Sequence, residues 1–265
     1  MRMEDLDTPR VVPGSAVEIL EALQRYGLQW DGDVMMQSQR TAAYEEALGT
    51  LRERGLSYDC ACSRAELQGA ASAPAAGDPV ESAAPIYPGT CRNGVAAGKR
   101  PRATRFRVPS GIVAFQDAVA GAIEEDLARA TGDFVVRRAD GPFAYQLAVV
   151  VDDAAQNVSQ VVRGGDLLSS TARQIALQRA LDLATPRYAH LPLILGADGA
   201  KLGKRDGALT LPTLDRARVE QTLAEALALL GIPDVRPAAP DAMLDEALNR
   251  FDPRKIPRGP IAYGG

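Results

Sequence analysis

The sequence lacks any run of about 18 uninterrupted apolar residues, the length that spanning a bilayer requires. Its first five residues, Met1 to Asp5, also lack the apolar core of a signal peptide. These two absences predict a cytoplasmic protein with no membrane partner. The chain of 265 residues does contain 46% apolar residues, which can bury a substantial core. We therefore expect a globular fold.

Cysteine is scarce, with three residues in the whole chain. Two of them, Cys60 and Cys62, stand too close in sequence for a disulfide between them to be expected. A metal site and free thiols both remain open as interpretations.

The chain also has no excess of positive charge. Its formal net charge of -4 at pH 7 provides no overall attraction to nucleic acid. A local basic run is nevertheless present, formed by Arg92, Lys99, Arg100, Arg102, Arg105 and Arg107. This run makes an RNA partner possible, whereas the alternative is a solvated basic loop.

Helical patterns occur at four places. Ser15 and Glu18 have the spacing of a capping box before apolar residues at helical intervals. Tyr44 to Leu51 form a second amphipathic stretch that ends at Gly55. Ser169 to Thr171 offer N-cap oxygens to a third helix. A fourth is expected over residues 215–230, before an extended tail at 250–258.

Strand patterns alternate with these helices. Short strands are predicted at residues 103–108, 111–115 and 133–138, and buried strands are predicted at 147–151 and 191–195. The sequence between Gln68 and Pro85 is rich in Ala, Ser, Pro and Gly, and we expect a mobile loop there. Together these elements predict an α/β fold with a parallel or mixed sheet.

A lysine-rich loop, Lys201 to Gly207, follows the last predicted strand and a glycine-rich turn. Two lysines at the end of a strand suit a phosphate site, because a compact ammonium group can follow charge on a transferring phosphate. Taken alone, such a loop is more often an ordinary exposed segment.

Three segments, in this order, resemble the class I aminoacyl-tRNA synthetases of the glutamyl group. They are Arg2 to Arg10, Asp133 to Leu168, and His190 to Gly207. The last segment resembles the signature KMSKS, with Gly203 in place of its serine. The resemblance covers roughly residues 2 to 211, and the 60 or so residues that follow the lysine loop are too few for a large anticodon-binding region. It therefore favours the glutamyl-queuosine branch of the family.

The resemblance implies a Rossmann-like class I catalytic domain that activates glutamate with ATP and, we expect, Mg²⁺. The activated glutamyl group would then be transferred to queuosine in the anticodon of tRNA(Asp). It implies that Glu4 binds the amino group of glutamate, and that Tyr145 and Arg163 complete the glutamate site. Lys204, together with Lys201, would bind the ATP phosphates during adenylate formation.

The cysteines gain a meaning from the same resemblance. Cys60, Cys62, Tyr87 and Cys91 have the order of the zinc site in many glutamyl-queuosine enzymes. Three thiolates bind Zn²⁺ readily, and a phenolic oxygen can complete a closed, structural tetrahedron. The alternative is a set of buried thiols without metal. If zinc binds, it would join the two ends of the loop at 68–85.

Family members carry a first strand, a HIGH-type signature and a helix ahead of the Arg-x-Glu-Asp segment, which here starts at residue 2. The one histidine of the chain, His190, lies far from that position. We therefore expect this chain to lack the first strand-helix unit and to be poorly stable or inactive by itself. The alternatives are a non-catalytic paralogue that binds tRNA or glutamate, and a shortened glutamyl-tRNA synthetase.

Four segments are expected along a monomeric chain. Residues 1–57 form the remaining N-terminal half of the catalytic domain, and 58–108 form the zinc-bearing insertion. Residues 109–211 form the second half with the lysine loop, and 212–265 form C-terminal helices and the tail.

Overall fold

The structure is a computed structural model that describes residues 1–7, 11–63, 65–67, 86–196, 198–202 and 215–263. Helices of four residues or more are α1 Ser15–Arg25, α2 Thr41–Glu53, α3 Leu127–Ala130, α4 Tyr145–Ala155, α5 Leu168–Ala180, α6 Arg216–Leu229 and α7 Pro240–Arg250. Strands are β1 Arg2–Met3, β2 Met35–Met36, β3 Ser57–Cys60, β4 Ala103–Phe106, β5 Ile112–Asp117, β6 Gly121–Asp126, β7 Val135–Arg137, β8 Gln160–Gly164, β9 Arg187–Leu191, β10 Ile194–Leu195 and β11 Ile261–Ala262. Within this described part, no helix combines the length and the apolar character that crossing a membrane requires.

The largest sheet has four strands in the order β6-β5-β9-β8. The hairpin of β5 and β6 is antiparallel, whereas β9 pairs in parallel with both β5 and β8. The expectation of a mixed sheet is therefore confirmed. Helices α4 and α5 lie against each other, and α5 contacts β5.

Three smaller sheets complete the strand pairing. An antiparallel sheet has the order β3-β4-β7, while β1 pairs with β2 and β10 pairs with β11, both in parallel. The main core joins α2, α4, α5 and both larger sheets through buried side chains that include Tyr44, Leu48, Phe106, Leu147 and Ile175. A second core, formed by α6, α7 and Tyr26, ties the C-terminal helices to the chain after α1.

The predicted strand at 147–151 is wrong, because these residues form the middle of helix α4. Leu147, Ala148, Val149 and Val150 are all buried, and so are Asp152 and Asp153 beyond them. A short, continuously apolar run cannot distinguish a helix buried on most sides from a buried strand. The strand next to it is β8, which starts at residue 160.

Two predicted N-caps are also wrong, although both helices exist. Ser15 is the first residue of α1, and the cap is Gly14 at φ 88°, with no side-chain cap. Ser170 and Thr171 lie inside α5, where their hydroxyls hydrogen-bond other side chains across the fold. A buried serine or threonine whose hydroxyl bonds a distant side chain is not available to cap its own helix. Asp215, by contrast, caps α6 through the amides of the next turn.

The predicted strand at 191–195 is divided, since β9 ends at Leu191 and β10 begins at Ile194. Pro192 lies between them, and proline has no N–H to donate to a ladder. The tail is not wholly extended either, because Pro253–Lys255 form a turn of 3-10 helix. Helix α2, with Tyr44, Leu48 and Leu51 buried, is confirmed. The loop expected at Gln68 to Pro85 lies outside the described residues.

Candidate functional site

An open cleft of about 690 Å³ lies between β1, the start of α4 and β8. All three residues expected to bind glutamate line it: Glu4, directly after β1; Tyr145, the first residue of α4; and Arg163, in β8. The remaining lining is mixed and includes Trp30, Asp31, Val161 and Leu167. The fold thus brings together side chains that are far apart in the sequence.

Glu4 is oriented by Arg2. The Arg2 guanidinium contacts Glu4 Oε1 at 3.1 Å through Nη2, and its Nη1 binds Asp153 Oδ1 at 2.7 Å and Gln156 Oε1 at 3.0 Å. These bonds fix β1 against the C-terminal part of α4. In the described part of the chain, Glu4 Oε2 has no hydrogen-bond partner. One carboxylate oxygen therefore remains able to receive a cationic group in the cleft.

Tyr145 and Arg163 face each other, with Arg163 Nη1 at 3.4 Å from Tyr145 Oη. Burial raises the pKa of Tyr145, although the nearby Arg163 guanidinium opposes that shift. The phenol therefore stays protonated at neutral pH and can donate a hydrogen bond. Arginine suits the other role, because its planar fork binds a carboxylate through two parallel N–H bonds.

Three residues behind Arg163 were not singled out as site residues from the sequence. His190 Nε2 lies 3.0 Å from Arg163 Nε, and Thr171 Oγ1 lies 2.8 Å from Arg163 Nη2. Asp117 in turn holds the histidine ring through a contact of 2.6 Å with Nδ1. Asp117 and His190 are 73 residues apart, so no local pattern could have revealed this contact.

The lysine loop is described only in part. Lys201 Nζ pairs with Asp166 Oδ2 at 2.5 Å, next to Leu167 at the edge of the cleft. Lys201 also forms a β-bridge with Leu195, which places the start of the loop beside β10. Gly203 and Lys204 lie outside the described residues. The role expected for Lys204 therefore stays a prediction.

A second site is formed by the three cysteines, whose sulfur atoms all lie within 4.8 Å of one another. Cys62 Sγ is 3.6 Å from Cys91 Sγ, and Tyr87 Oη is 3.5 Å from Cys60 Sγ and 3.8 Å from Cys62 Sγ. Cys60, Tyr87 and Cys91 are buried, and Cys62 is half-buried. The backbone amide of Cys91 donates to Tyr87 Oη at 2.8 Å, which orients the phenol toward the sulfur atoms.

These distances fit a tetrahedral metal ion. Metal–sulfur bonds of about 2.3 Å place two ligand sulfurs about 3.8 Å apart, and a metal–oxygen bond of about 2.0 Å places sulfur and oxygen about 3.5 Å apart. The three sulfur atoms could therefore hold a metal ion, and Tyr87 Oη lies beside two of them.

A buried arginine accompanies this site. Arg105 is 6% exposed, its Nε lies 3.3 Å from Cys60 Sγ, and its guanidinium carbon stacks 3.7 Å above the Tyr87 ring centre. Burial alone would raise the pKa of Cys60, but hydrogen bonds with Tyr87 and Arg105 hold it below its usual value. Burial and the bond to Cys60 raise the pKa of Tyr87. Negative charge on sulfur is thus stabilised by a neighbouring cation.

The basic run is not one continuous patch for phosphate contacts. Arg105 is buried, Arg92 pairs with the buried Asp133 at 2.6 Å, and Arg107 donates to the carbonyl oxygens of Gly55 and Arg92. These arginines connect the metal-site segment to the β3-β4-β7 sheet. The residues of the run that are exposed are Lys99, Arg100 and Arg102.

Comparisons with known proteins identify the family of this chain. Residues 1–239 match the family described as tRNA synthetases class I (E and Q), catalytic domain. The glutamate-tRNA synthetase of Elizabethkingia anophelis has a similar fold, with a TM-score of 0.76 at 23% identity over 99% of this chain. This chain spans 60% of the length of that synthetase, and the likeness at this identity concerns the fold alone.

Two relatives carry a more particular name. The glutamyl-Q tRNA(Asp) synthetase of Geobacter sulfurreducens is 52% identical over 262 residues, covering 97% of this chain and 82% of the relative. That of Thiobacillus denitrificans is 48% identical over 264 residues, covering 98% and 84%. The chain therefore belongs to the class I tRNA synthetases of the glutamate and glutamine group and, within that class, to the glutamyl-Q tRNA(Asp) synthetase family. The resemblance inferred from the motifs is thus confirmed.

Proposed function

We propose that this protein activates glutamate with ATP and transfers it to queuosine in the anticodon of tRNA(Asp). The observation that carries the proposal is the meeting of Glu4, Tyr145 and Arg163 in one cleft. Glutamate has one ammonium group and two carboxylates, and the cleft offers one carboxylate and a guanidinium beside a phenol. Membership of the glutamyl-Q family supports the choice of acceptor.

In this proposal Glu4 binds the ammonium group of glutamate, while Arg163 and Tyr145 bind its side-chain carboxylate. The α-carboxylate then remains free to react. One of its oxygens attacks the α-phosphorus of ATP, and pyrophosphate leaves with the electron pair of the broken P–O bond. Queuosine next attacks the acyl carbon and AMP leaves. Positioning and positive charge near the phosphates carry most of the catalysis, since no covalent enzyme intermediate is needed.

The lysine loop serves the phosphates. Lys201 is 55% exposed at its side chain, and exposed ion pairs contribute only about 0–1 kcal/mol, so its contact with Asp166 yields readily to a phosphate group. Lys204 supplies the second ammonium group, and Mg²⁺ accompanies ATP. A single chain contains all the residues assigned here, which agrees with a monomer.

We further propose that the metal ion at Cys60, Cys62, Tyr87 and Cys91 is Zn²⁺, with a structural role. Three thiolates favour zinc over the hard cations, and four protein ligands leave no open position for an activated water. The ion would hold Cys60 and Cys62, at the end of β3, against the segment that carries Tyr87 and Cys91. Bound metal would thus supply folding energy rather than chemistry.

The glutamate site is tested by direct binding. Replacing Arg163 with Ala removes a charge-assisted hydrogen bond, so the affinity for glutamate should fall roughly 10- to 150-fold in titration calorimetry. Arg179→Ala is the matched control, because Arg179 is exposed on α5 and does not line the cleft. Equal affinity of Arg163→Ala and wild type would refute the assignment.

The reaction is tested with labelled glutamate, ATP and two forms of tRNA(Asp), one with queuosine and one with guanosine at the same position. Label on the queuosine form alone supports the proposal, whereas label on tRNA(Glu) would identify a shortened glutamyl-tRNA synthetase. Glutamate binding without ATP–pyrophosphate exchange would favour the non-catalytic binding protein.

A further inference from the structure

Arg163 is held from behind by three protein groups. Its Nε bonds to His190 Nε2 at 3.0 Å, and its Nη2 donates to Thr171 Oγ1 at 2.8 Å and to the carbonyl oxygen of Leu167 at 3.4 Å. Among the described residues, the one contact of Nη1 is the long contact with Tyr145. The guanidinium therefore has its rear edge occupied and its front nitrogen directed at the cleft.

The contact at Nε requires a particular form of His190. An arginine Nε always carries a hydrogen, so it can only donate, and His190 Nε2 must accept with a lone pair. The ring proton then has to reside on Nδ1. A proton on Nε2 would point at the N–H of Arg163 Nε, with the two nitrogen atoms only 3.0 Å apart. A doubly protonated ring would in addition place a second cation beside Arg163.

Asp117 enforces that form. Its carboxylate is buried, with the residue 1% exposed, and Oδ2 lies 2.6 Å from His190 Nδ1, where it accepts a hydrogen bond from the ring N–H. Oδ1 is fully engaged by three backbone amides, those of Val119, Ala120 and His190. Burial alone would raise the pKa of Asp117, but these bonds hold it below its usual value. The carboxylate is therefore ionised and fixed.

We propose that Asp117 and His190 are positioning residues, which fix the histidine tautomer and thereby aim the Arg163 guanidinium at the side-chain carboxylate of glutamate. The proposal rests on the assignment of Arg163 as a glutamate-binding residue. Neither residue lines the cleft. The contacts run across the sheet from Asp117 at the end of β5, through His190 in β9, to Arg163 in β8. Thr171 supports the same orientation from α5.

Asp117→Asn separates this role from mere packing. The amide oxygen of asparagine is needed by the three backbone amides, so its NH₂ group must face His190 Nδ1. That donor would force the ring proton onto Nε2, against Arg163. The volume of the side chain is unchanged, yet the hydrogen bond between His190 and Arg163 is lost. We expect roughly tenfold weaker glutamate binding, with a raised KM and a smaller change in kcat.

The tautomer itself is directly measurable, because His190 is the one histidine of the chain. Its ¹⁵N spectrum should show a protonated Nδ1 in the wild type and a protonated Nε2 in Asp117→Asn. The Nε–H signal of Arg163, assigned with Arg163→Lys, should be protected from exchange in the wild type and lose that protection in the variant. A protonated Nε2 in the wild type would overturn the proposal.

Two histidine replacements provide the matched comparison. Glutamine places its amide near the position of Nε2 and can accept from Arg163, whereas asparagine places its amide near Nδ1 and can meet only Asp117. His190→Gln should therefore retain more glutamate affinity than His190→Asn. The reverse order would show that His190 acts only by packing against Asp117.

The outcomes separate this inference from the proposed function. If the wild type binds no glutamate, the proposed function fails, while the nitrogen spectra still decide whether Asp117 and His190 hold Arg163. If glutamate binds but Asp117→Asn changes neither the tautomer nor the affinity, the proposed function stands and the positioning role is refuted.

Discussion

The cleft and the cysteine site represent two ways of building a site from one chain. The cleft gathers residues that are far apart in the sequence, such as Arg2 and Asp153, and depends on rigid elements to hold them. The cysteine site takes its ligands from residues 60–91 and buries most of them beside a single arginine. A scaffold positions the first site, whereas a metal ion can organise the second. Their responses to perturbation should differ accordingly.

Metal removal should produce the largest difference. Structural zinc contributes about 10–16 kcal/mol of apparent binding energy in small zinc-dependent peptides, so a strong chelator should loosen the segment that carries Tyr87 and Cys91. Limited proteolysis of residues 86–102 and the loss of bound zinc measure this effect. Glutamate affinity should change less than a few-fold. Cys91→Ala is the matched control, because a chelator should have little further effect on a site that has already lost a ligand. If the chelator removed glutamate binding together with the zinc, the two sites would not be independent.

Asp152 tests the scaffold of the cleft. Its buried carboxylate accepts from Gln37, Arg40 and Tyr44, and so joins α2 to the helix that carries Tyr145. Removing one partner of a buried ion pair costs about 3–5 kcal/mol, and Asp152→Ala should lower the free energy of unfolding by that amount.

Urea unfolding measures that loss, and Asp140→Ala provides the control. Asp140 forms a comparable bridge to Arg138, but its side chain is 54% exposed, so its loss should destabilise the protein far less than the loss of Asp152. Equal destabilisation by the two variants would show that burial does not govern the strength of these pairs.

Arg105 tests how far the cysteine site depends on its surroundings. Replacing Arg105 with Gln removes the cation beside Cys60 and above Tyr87. Residues that orient or neutralise metal ligands typically contribute 10- to 100-fold in metal affinity, and we expect a loss in that range. Competition with a zinc indicator measures it. Arg100→Gln, an exposed neighbour in the same basic run, should leave the affinity unchanged.

Much of the fold was predictable from the sequence because local patterns determine it. Helix α2 is amphipathic and was located to within three residues at each end, and α6, which follows an aspartate cap, was located to within one. Helix α4 was not, because its apolar run carries no period that separates helix from strand. The helix order, the mixed sheet and the glutamate residues follow from pattern and resemblance. Strands β3, β6 and β8 were not predicted.

The site was predictable only where its residues fall in motifs. Glu4, Tyr145 and Arg163 stand in family segments and line one cleft, and their binding of glutamate stays a prediction. Asp117 could not be found in this way, since its role exists only after β5 and β9 pair. The basic run shows the same limit of prediction, because the sequence shows which residues are charged but not which partners bury or pair with them.

The exposed part of the basic run gives the smallest expected effect. Arg100 and Arg102 are exposed, whereas Arg107 donates to two backbone carbonyls. If the exposed pair contacts tRNA phosphates, Arg100→Ala and Arg102→Ala should each weaken tRNA binding a few-fold and lower the salt dependence by about one unit per contact. Filter binding across a salt series measures both quantities. Arg107→Ala should instead lower the stability of the protein, and the folded molecules should bind tRNA with an unchanged salt dependence. If Arg107→Ala alone reduced the salt dependence, the RNA would contact the side of this segment that carries Arg107.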